Sequence, residues 1–259
     1  MDLGISGRYA IICGSSAGLG LACAEALAAE GVHVVVNGRR QDVLDGAVAK
    51  LLKTAVGTVR GVAADVTQPA GLRTLLAACP QPDILVTNSI GPLPKKFDDI
   101  AVEEWEAVVR RNMIAPIELI RMALPGMRER RFGRIVNITS AMVTSPRPHM
   151  VASAGARAGL TAVMKGLSIE VAPYNVTVNN LLPERFDTDR QHQMALATST
   201  REGISYEEAR ARQVESIAAR RLGKPVEFGA TCAFLCSALA GYMSGQNVHL
   251  DGGSYPALI

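Results

Sequence analysis

The stretch from Ser140 to Arg157 holds two hydroxyls and a guanidinium at spacings that suit work on a single oxygen atom. Ser140 directly follows the β-type run Arg134 to Thr139 (RIVNIT). Ser153 and Arg157 are four residues apart, which puts both side chains on one face of a helix. A hydroxyl can donate to an oxygen that is gaining negative charge. A guanidinium can bind sugar hydroxyls and stabilise that charge, but it stays protonated and cannot hand a proton on. A serine hydroxyl is in turn a far weaker acid than a phenol, whose pKa is about 10. No tyrosine occurs between Tyr9 and Tyr174.

A second segment suits phosphate. Gly14-Ser15-Ser16-Ala17-Gly18-Leu19-Gly20 separates an apolar β-type run from a helical one. Glycine at these places lets the backbone turn tightly and lets a pyrophosphate approach closely. The helix that follows offers unpaired N–H groups and a partial positive charge to the phosphate oxygens. Position after an N-terminal strand, with a βαβ unit following, is what gives the three glycines meaning.

Positioning these groups falls to an alternation of short β-rich runs and helical patterns. Strands are expected at Tyr9–Cys13, Val32–Val36, Val59–Ala64, Asp83–Thr87, Arg134–Thr139, Asn175–Leu182 and Asn247–Leu250. Helices are expected at Leu19–Ala29, Gln41–Leu52, Gly71–Ala78, Ser153–Val171 and Phe228–Ala238. Val102–Arg128 reads as one long helical stretch interrupted or kinked at Pro116 and Pro125. Strand runs that are apolar on both faces imply a parallel sheet covered on both sides. The expected fold is α/β: a single-domain Rossmann fold over residues 1–259, its doubly wound parallel sheet having about seven strands. The charged, helix-prone region from Arg185 to Lys224 breaks the rhythm. It predicts a helical insertion over the site, a substrate lid at about 188–220.

Composition narrows the function class. A chain of 259 residues with 48% hydrophobic content can bury a large core. Net charge is +3 and the basic residues are dispersed, so no nucleic-acid surface is expected. No apolar run is long enough to span a bilayer, so no membrane partner is expected. The five cysteines form no disulfide framework. Cys232 and Cys236 share a helix face, but their neighbours are apolar, which reads as buried thiols; no metal site is expected. No signal peptide is expected, and a reducing, cytoplasmic location is expected.

The G-x-x-x-G-x-G spacing resembles that of the short-chain dehydrogenase/reductase family. The closing L-G-K-P-V-E-F and S-G-Q-N-V-H-L-D-G-G are very like the family's own ending. The likeness runs from about Ser6 to Gly253, and within the family it is to 3-oxoacyl-acyl-carrier-protein reductases. It implies a nicotinamide cofactor held by Gly14, Ser16, Gly18, Leu19 and Gly20. Asp65 and Val66 would sit at the adenine, and Asn88 would follow the fourth strand. Pro183, Phe186 and Thr188 would line the nicotinamide end. The second strand ends Asn37-Gly38-Arg39-Arg40, with no carboxylate for a ribose 2′-hydroxyl. Gly38 leaves room there, and Arg39 could pair with a 2′-phosphate, so NADP(H) is favoured over NAD(H).

The same resemblance assigns Ser140 to the carbonyl oxygen and Asn112 to a water in the proton relay. Ser153 stands where the family has its proton-donating tyrosine, and Arg157 where it has the lysine that binds ribose. Ile90 and Glu184 also depart from the pattern. His149, Tyr206 or a held water are then the candidate proton sources. Three functions follow from these residues. The first is an NADP(H)-dependent oxidoreductase acting on a small carbonyl or alcohol, such as a 3-oxoacyl-type compound. The second is a catalytically inactive NADP(H)-binding or sensor protein. The third is a non-redox lyase or dehydratase. Apolar residues beyond what one sheet face needs on the two long helices predict a homotetramer or homodimer.

Overall fold

The computed structural model describes residues 1–258. Its strands are β1 (Tyr9–Ile12), β2 (His33–Gly38), β3 (Val59–Ala63), β4 (Ile84–Thr87), β5 (Gly133–Ile138), β6 (Val176–Pro183) and β7 (Asn247–Leu250). They form one parallel sheet in the order β3-β2-β1-β4-β5-β6-β7. The helices are α1 (Gly18–Ala29), α2 (Gln41–Leu51), α3 (Pro69–Ala78), α4 (Val102–Val109), α5 (Ala115–Glu129), α6 (Val151–Val171), α7 (Asp189–Glu202), α8 (Tyr206–Glu215) and α9 (Pro225–Cys236). The doubly wound parallel sheet is the architecture that the alternation predicts.

Strand side chains alternate between two cores, as the pleat requires. Ala10, Ile12, Val34, Val36, Val86 and Val136 join Leu27 of α1 and Phe228 of α9 on one face. Ile11, Val35, Leu85 and Ile135 join Leu75 of α3, Leu119 of α5 and Leu160 of α6 on the other. With both faces covered, the strands read as continuous apolar runs. On the first face α9 lies so close to α1 that a Cβ on Gly229 would sit 2.3 Å from the Ala22 carbonyl. α9 therefore braces the helix whose N-terminus follows the glycine turn.

One expectation is corrected. The stretch Val102–Arg128 breaks at neither proline. It breaks at Arg110–Ile114, a wider π-helical turn between α4 and α5. Pro116 falls in the first turn of α5, where a missing N–H costs nothing, and Pro125 lies within α5. The wide turn is clamped by Arg110, which donates to both Glu118 carboxylate oxygens at 2.9 and 2.7 Å and to the Thr67 carbonyl at 2.8 Å. An extra residue in a turn re-aims the side chains around it, and such turns recur at functional sites. Here it buries Asn112.

Between β6 and α9 the chain forms α7 and α8. Gly203 (φ +66°) supplies the left-handed turn between them, and the Ser205 hydroxyl caps α8 by accepting from the Glu208 N–H at 3.0 Å. No helix among the described residues is long and apolar enough to cross a membrane.

Candidate functional site

The chain leaves β1 toward β2 and β3 on one side and resumes at β4 on the other. A crevice must open at the carboxyl ends of β1 and β4, where the winding reverses. A cleft of about 940 Å³ lies there. Gly14, Ser16, Gly18 and Leu19 line it, as do Arg39, Asp65, Val66, Asn88, Ser140, Arg157, Pro183, Phe186 and Thr188. Gly14 (φ +54°) and Gly18 (φ +59°) hold left-handed conformations that favour glycine. A Cβ on Gly20 would fall 2.3 Å from the Gly14 carbonyl, so Gly20 serves the tightness of the turn rather than the cleft surface.

The turn is braced from beneath. The Ser15 hydroxyl donates to the Ile12 carbonyl at 2.7 Å and accepts from the Asn37 N–H at 2.9 Å. Asn88, just beyond β4, donates from Nδ2 to the Gly14 carbonyl at 3.0 Å. What faces the cleft is thus a rigid cradle of backbone beside the N-terminus of α1. These residues fit a dinucleotide diphosphate.

At the far end of the cradle, Arg39 is exposed and Asp65 half-buried. The Thr67 N–H and hydroxyl bond the Asp65 carboxylate at 2.9 and 2.8 Å and hold its pKa below the usual range, with help from Arg39 and Arg111. The space expected at Gly38 is taken by Ser16: a Cβ there would lie 2.9 Å from the Ser16 side chain. Glycine at position 38 lets β2 approach the turn, and Arg39 stands exposed beside it.

Nearer the middle of the cleft, Ser140 accepts the Met142 N–H at 3.2 Å, which leaves its own proton available. Arg157 is buried and reaches up from α6 between β4 and β5. Its Nη1 donates to the carbonyls of Ile138 (2.8 Å) and Thr139 (3.0 Å), and its Nη2 to that of Ser89 (3.0 Å). Burial pushes its pKa down to about 10, so it remains a cation at neutral pH. Ser153 is buried and does not line the cleft; a Cβ on Gly91 would meet its Oγ at 3.5 Å. Asn112 lies behind the cleft wall, donating from Nδ2 to the Ser89 hydroxyl at 2.7 Å, while its Oδ1 is buried with no partner among the described residues.

These features have counterparts in known proteins. The family described as Enoyl-(Acyl carrier protein) reductase matches residues 14–255. The NADPH-dependent reductase BacG of Bacillus subtilis is 32% identical over 98% of this chain and 100% of its own length. A 3-oxoacyl-acyl-carrier-protein reductase, FabG, of Vibrio cholerae is 30% identical over 98% and 99%. The crystal structure of L-sorbose reductase from Gluconobacter frateurii, complexed with NADPH and L-sorbose, superposes with a TM-score of 0.94 at 31% identity, with each chain fully covered. The chain belongs to the short-chain dehydrogenase/reductase family.

In this short-chain dehydrogenase/reductase the rim of the cleft is where sequence reasoning fell short. Glu184 is nearly buried, and its Oε1 accepts from Arg185 Nε at 3.2 Å and forms an ion pair with Arg147 Nη1 at 3.0 Å. Neither arginine was singled out from the sequence. The signals were an acid replacing a glycine at 184 and an arginine between two prolines at 147. His149 is exposed on the rim with φ +66°, its carbonyl accepting from the Lys95 N–H at 2.8 Å. It is the one histidine that lines the cleft among the described residues. Tyr206 lies away from the cleft, its hydroxyl 2.5 Å from His192 Nδ1 between α7 and α8. The Phe186 ring packs edge-on against Phe228 in the core, with centroids 5.3 Å apart.

The thiols stand apart from all this. Burial pushes Cys13, where the family carries threonine, up to about 12. Cys232 is buried against Cys23 and Cys236 against Cys232, and these thiol contacts together with burial raise both well above the usual range. Among the described residues no cluster of three or more histidine, cysteine or acidic side chains could hold a metal ion.

Proposed function

We propose that the protein is an NADP(H)-dependent oxidoreductase that interconverts a carbonyl and an alcohol on a small substrate. The observation that carries this reading is that Ser140 and the glycine cradle open onto one cleft. Arg39 at the cradle's far end and the NADPH in the names of the relatives support the choice of phosphorylated dinucleotide. Gly14, Gly18 and Leu19 would hold the diphosphate, Arg39 the 2′-phosphate, Asp65 and Val66 the adenine end, and Pro183 and Thr188 the nicotinamide end. When bound, the nicotinamide supplies the hydride that adds to the carbonyl carbon.

The chain's own residues then manage the oxygen. Ser140 donates its hydroxyl proton in a hydrogen bond to the carbonyl, while its oxygen accepts from the Met142 N–H. The Arg157 cation lines the same cleft and stabilises charge developing on that oxygen. Three of its five N–H groups are committed to backbone carbonyls and the guanidinium stays protonated, and Ser153 faces Gly91, so neither serves as the proton source. That role goes to His149, directly or through one water.

The test is calorimetric titration with NADPH and NADH, followed by NADPH oxidation across a carbonyl panel. Micromolar NADPH binding with turnover is expected, and no heat and no thermal shift with either nucleotide overturns the reading. The placement of Ser153 and Arg157 favours a second reading, a cofactor-binding protein without turnover. Tight NADPH binding with no consumption on any carbonyl would select it. The exposed Met122 of α5 and Val163 and Ile169 of α6 support assembly into a homotetramer through these helices. Five free, buried cysteines fit a reducing cytoplasm.

A further inference from the structure

The wall of the cleft beyond Ser140 carries more positive charge than the protein neutralises. Glu184 is 9% exposed, and one of its oxygens takes both Arg147 and Arg185. Two guanidiniums therefore share one carboxylate. Arg185 is itself largely covered, and burial pulls its pKa down despite the neighbouring acid. Its backbone is held at φ +48°, a left-handed conformation uncommon outside glycine. Such conformations persist where the surroundings fix them, often at ligand clamps. Arg190 of α7 is half-buried, and its one hydrogen-bond partner among the described residues is the Pro92 carbonyl at 2.7 Å. All four side chains line the cleft together with Ser140 and Met142.

A guanidinium taken partly out of water needs an anion or a full set of acceptors. Glu184 supplies one charge where Arg147 and Arg185 supply two, and Arg190 adds a third, against which stands the exposed Asp189 that also lines the cleft. The geometry points to a bound carboxylate: we propose that Arg147 and Arg185, aligned by Glu184, recognise a carboxylate on the carbonyl substrate, so that the preferred substrates are oxo acids. This rests on the oxidoreductase reading for the carbonyl alone; the carboxylate site stands on the arginines. A planar carboxylate matches the guanidinium fork, and a neutral carbonyl compound leaves the excess charge unanswered. Glu184 has a second effect. It holds the two arginines side by side on one oxygen, and it moderates their field so that the cradle remains the preferred seat for phosphate.

The experiment compares matched acids and esters by direct binding. Pyruvate, acetoacetate and levulinate, and the methyl ester of each, are titrated calorimetrically into the protein with and without saturating NADPH. At least one acid is expected to bind about tenfold or more tightly than its ester. Arg147→Ala, a half-exposed loop position, should bring that ratio near one while NADPH affinity stays within about twofold. Glu184→Gln should raise acid affinity and leave ester affinity unchanged, because the arginines lose their internal anion. Equal binding of acids and esters, no binding by any of the six, or a preference that survives Arg147→Ala overturns the proposal. Acid preference in a protein that binds no nucleotide would sink the oxidoreductase reading and leave this site standing.

Discussion

The Arg157 guanidinium lies 3.0 Å from the Ser89 carbonyl, while its other nitrogen bonds the carbonyls of Ile138 and Thr139. One side chain on α6 thus staples the carboxyl ends of β4 and β5, neighbouring strands on one side of the crevice. Arg157→Ala leaves three carbonyls without their donor. Each buried acceptor left unpaired costs about 1–3 kcal/mol, partly offset because a desolvated cation is removed and water can enter. We expect a net loss of about 2–4 kcal/mol in the cofactor-free protein, read as a lower urea midpoint at unchanged slope. A variant with unaltered stability and only weaker cofactor binding would show that the staple contributes nothing to the fold.

Arg39 offers the opposite case. It is exposed at the end of β2 and makes no hydrogen bond or ion pair among the described residues, so the fold does not depend on it. Arg39→Ala should leave the melting temperature of the cofactor-free protein in place. NADPH affinity should fall by about ten- to a hundredfold, as for loss of a charge-assisted bond to a phosphate, with NADH affinity little changed. Equal losses for both nucleotides would remove the 2′-phosphate role.

Ser140 and Ser153 are both serines in the catalytic stretch, yet only Ser140 reaches the cleft. Ser140→Ala should lower kcat by about a hundredfold or more, the usual cost of an oxyanion donor, with NADPH affinity unchanged. Ser153→Ala should change kcat by less than about threefold, since its hydroxyl makes no hydrogen bond among the described residues and faces Gly91. Comparable losses for the two would put Ser153 back in the reaction.

If His149 delivers the proton in the reductive direction, its cationic form is the active one. Activity should then fall as pH rises and that form is lost. His149→Gln should lower the rate at acid pH and flatten that limb. Because the side chain is exposed, stability should be unaffected. A limb that persists in the variant would assign it to another group.

Much of this was legible in the sequence for physical reasons. Parallel strands covered on both faces are continuous apolar runs, so all seven strands appear within a residue or two of their expected bounds. The glycine turn announces itself because backbone conformation is what glycine encodes. The break at Asn112 was hidden, since an extra residue in a helical turn leaves no mark on periodicity, whereas Pro116 and Pro125 look like breaks and are accommodated. The Arg147–Glu184 pair was hidden for another reason. It joins the β5–α6 loop to the residue after β6, and a charge pair between distant loops has no spacing to read. Arg157 was visible as a departure from its family, but its three carbonyl partners depend on how two strand ends converge.

The acid sensitivity of α9 makes a last test, and it bears on the cradle because α9 packs against α1. Glu227 accepts from the Arg221 guanidinium at 2.9 and 2.7 Å and from the Lys224 N–H at 2.7 Å. These bonds, Arg221 first, lower its pKa from 4.5 to about 2. A carboxyl with a depressed folded value stabilises the fold fully above its unfolded value and loses that contribution as pH falls toward the folded one. The gap in melting temperature between the parent and Glu227→Gln should therefore be constant above pH 5 and narrow steadily as the pH drops below 4.5 toward 2. Salt should shrink it as well, because the pair is solvent-exposed. A gap that stayed constant down to pH 3 would mean that the charge on Glu227 is irrelevant and that a neutral amide caps α9 equally well.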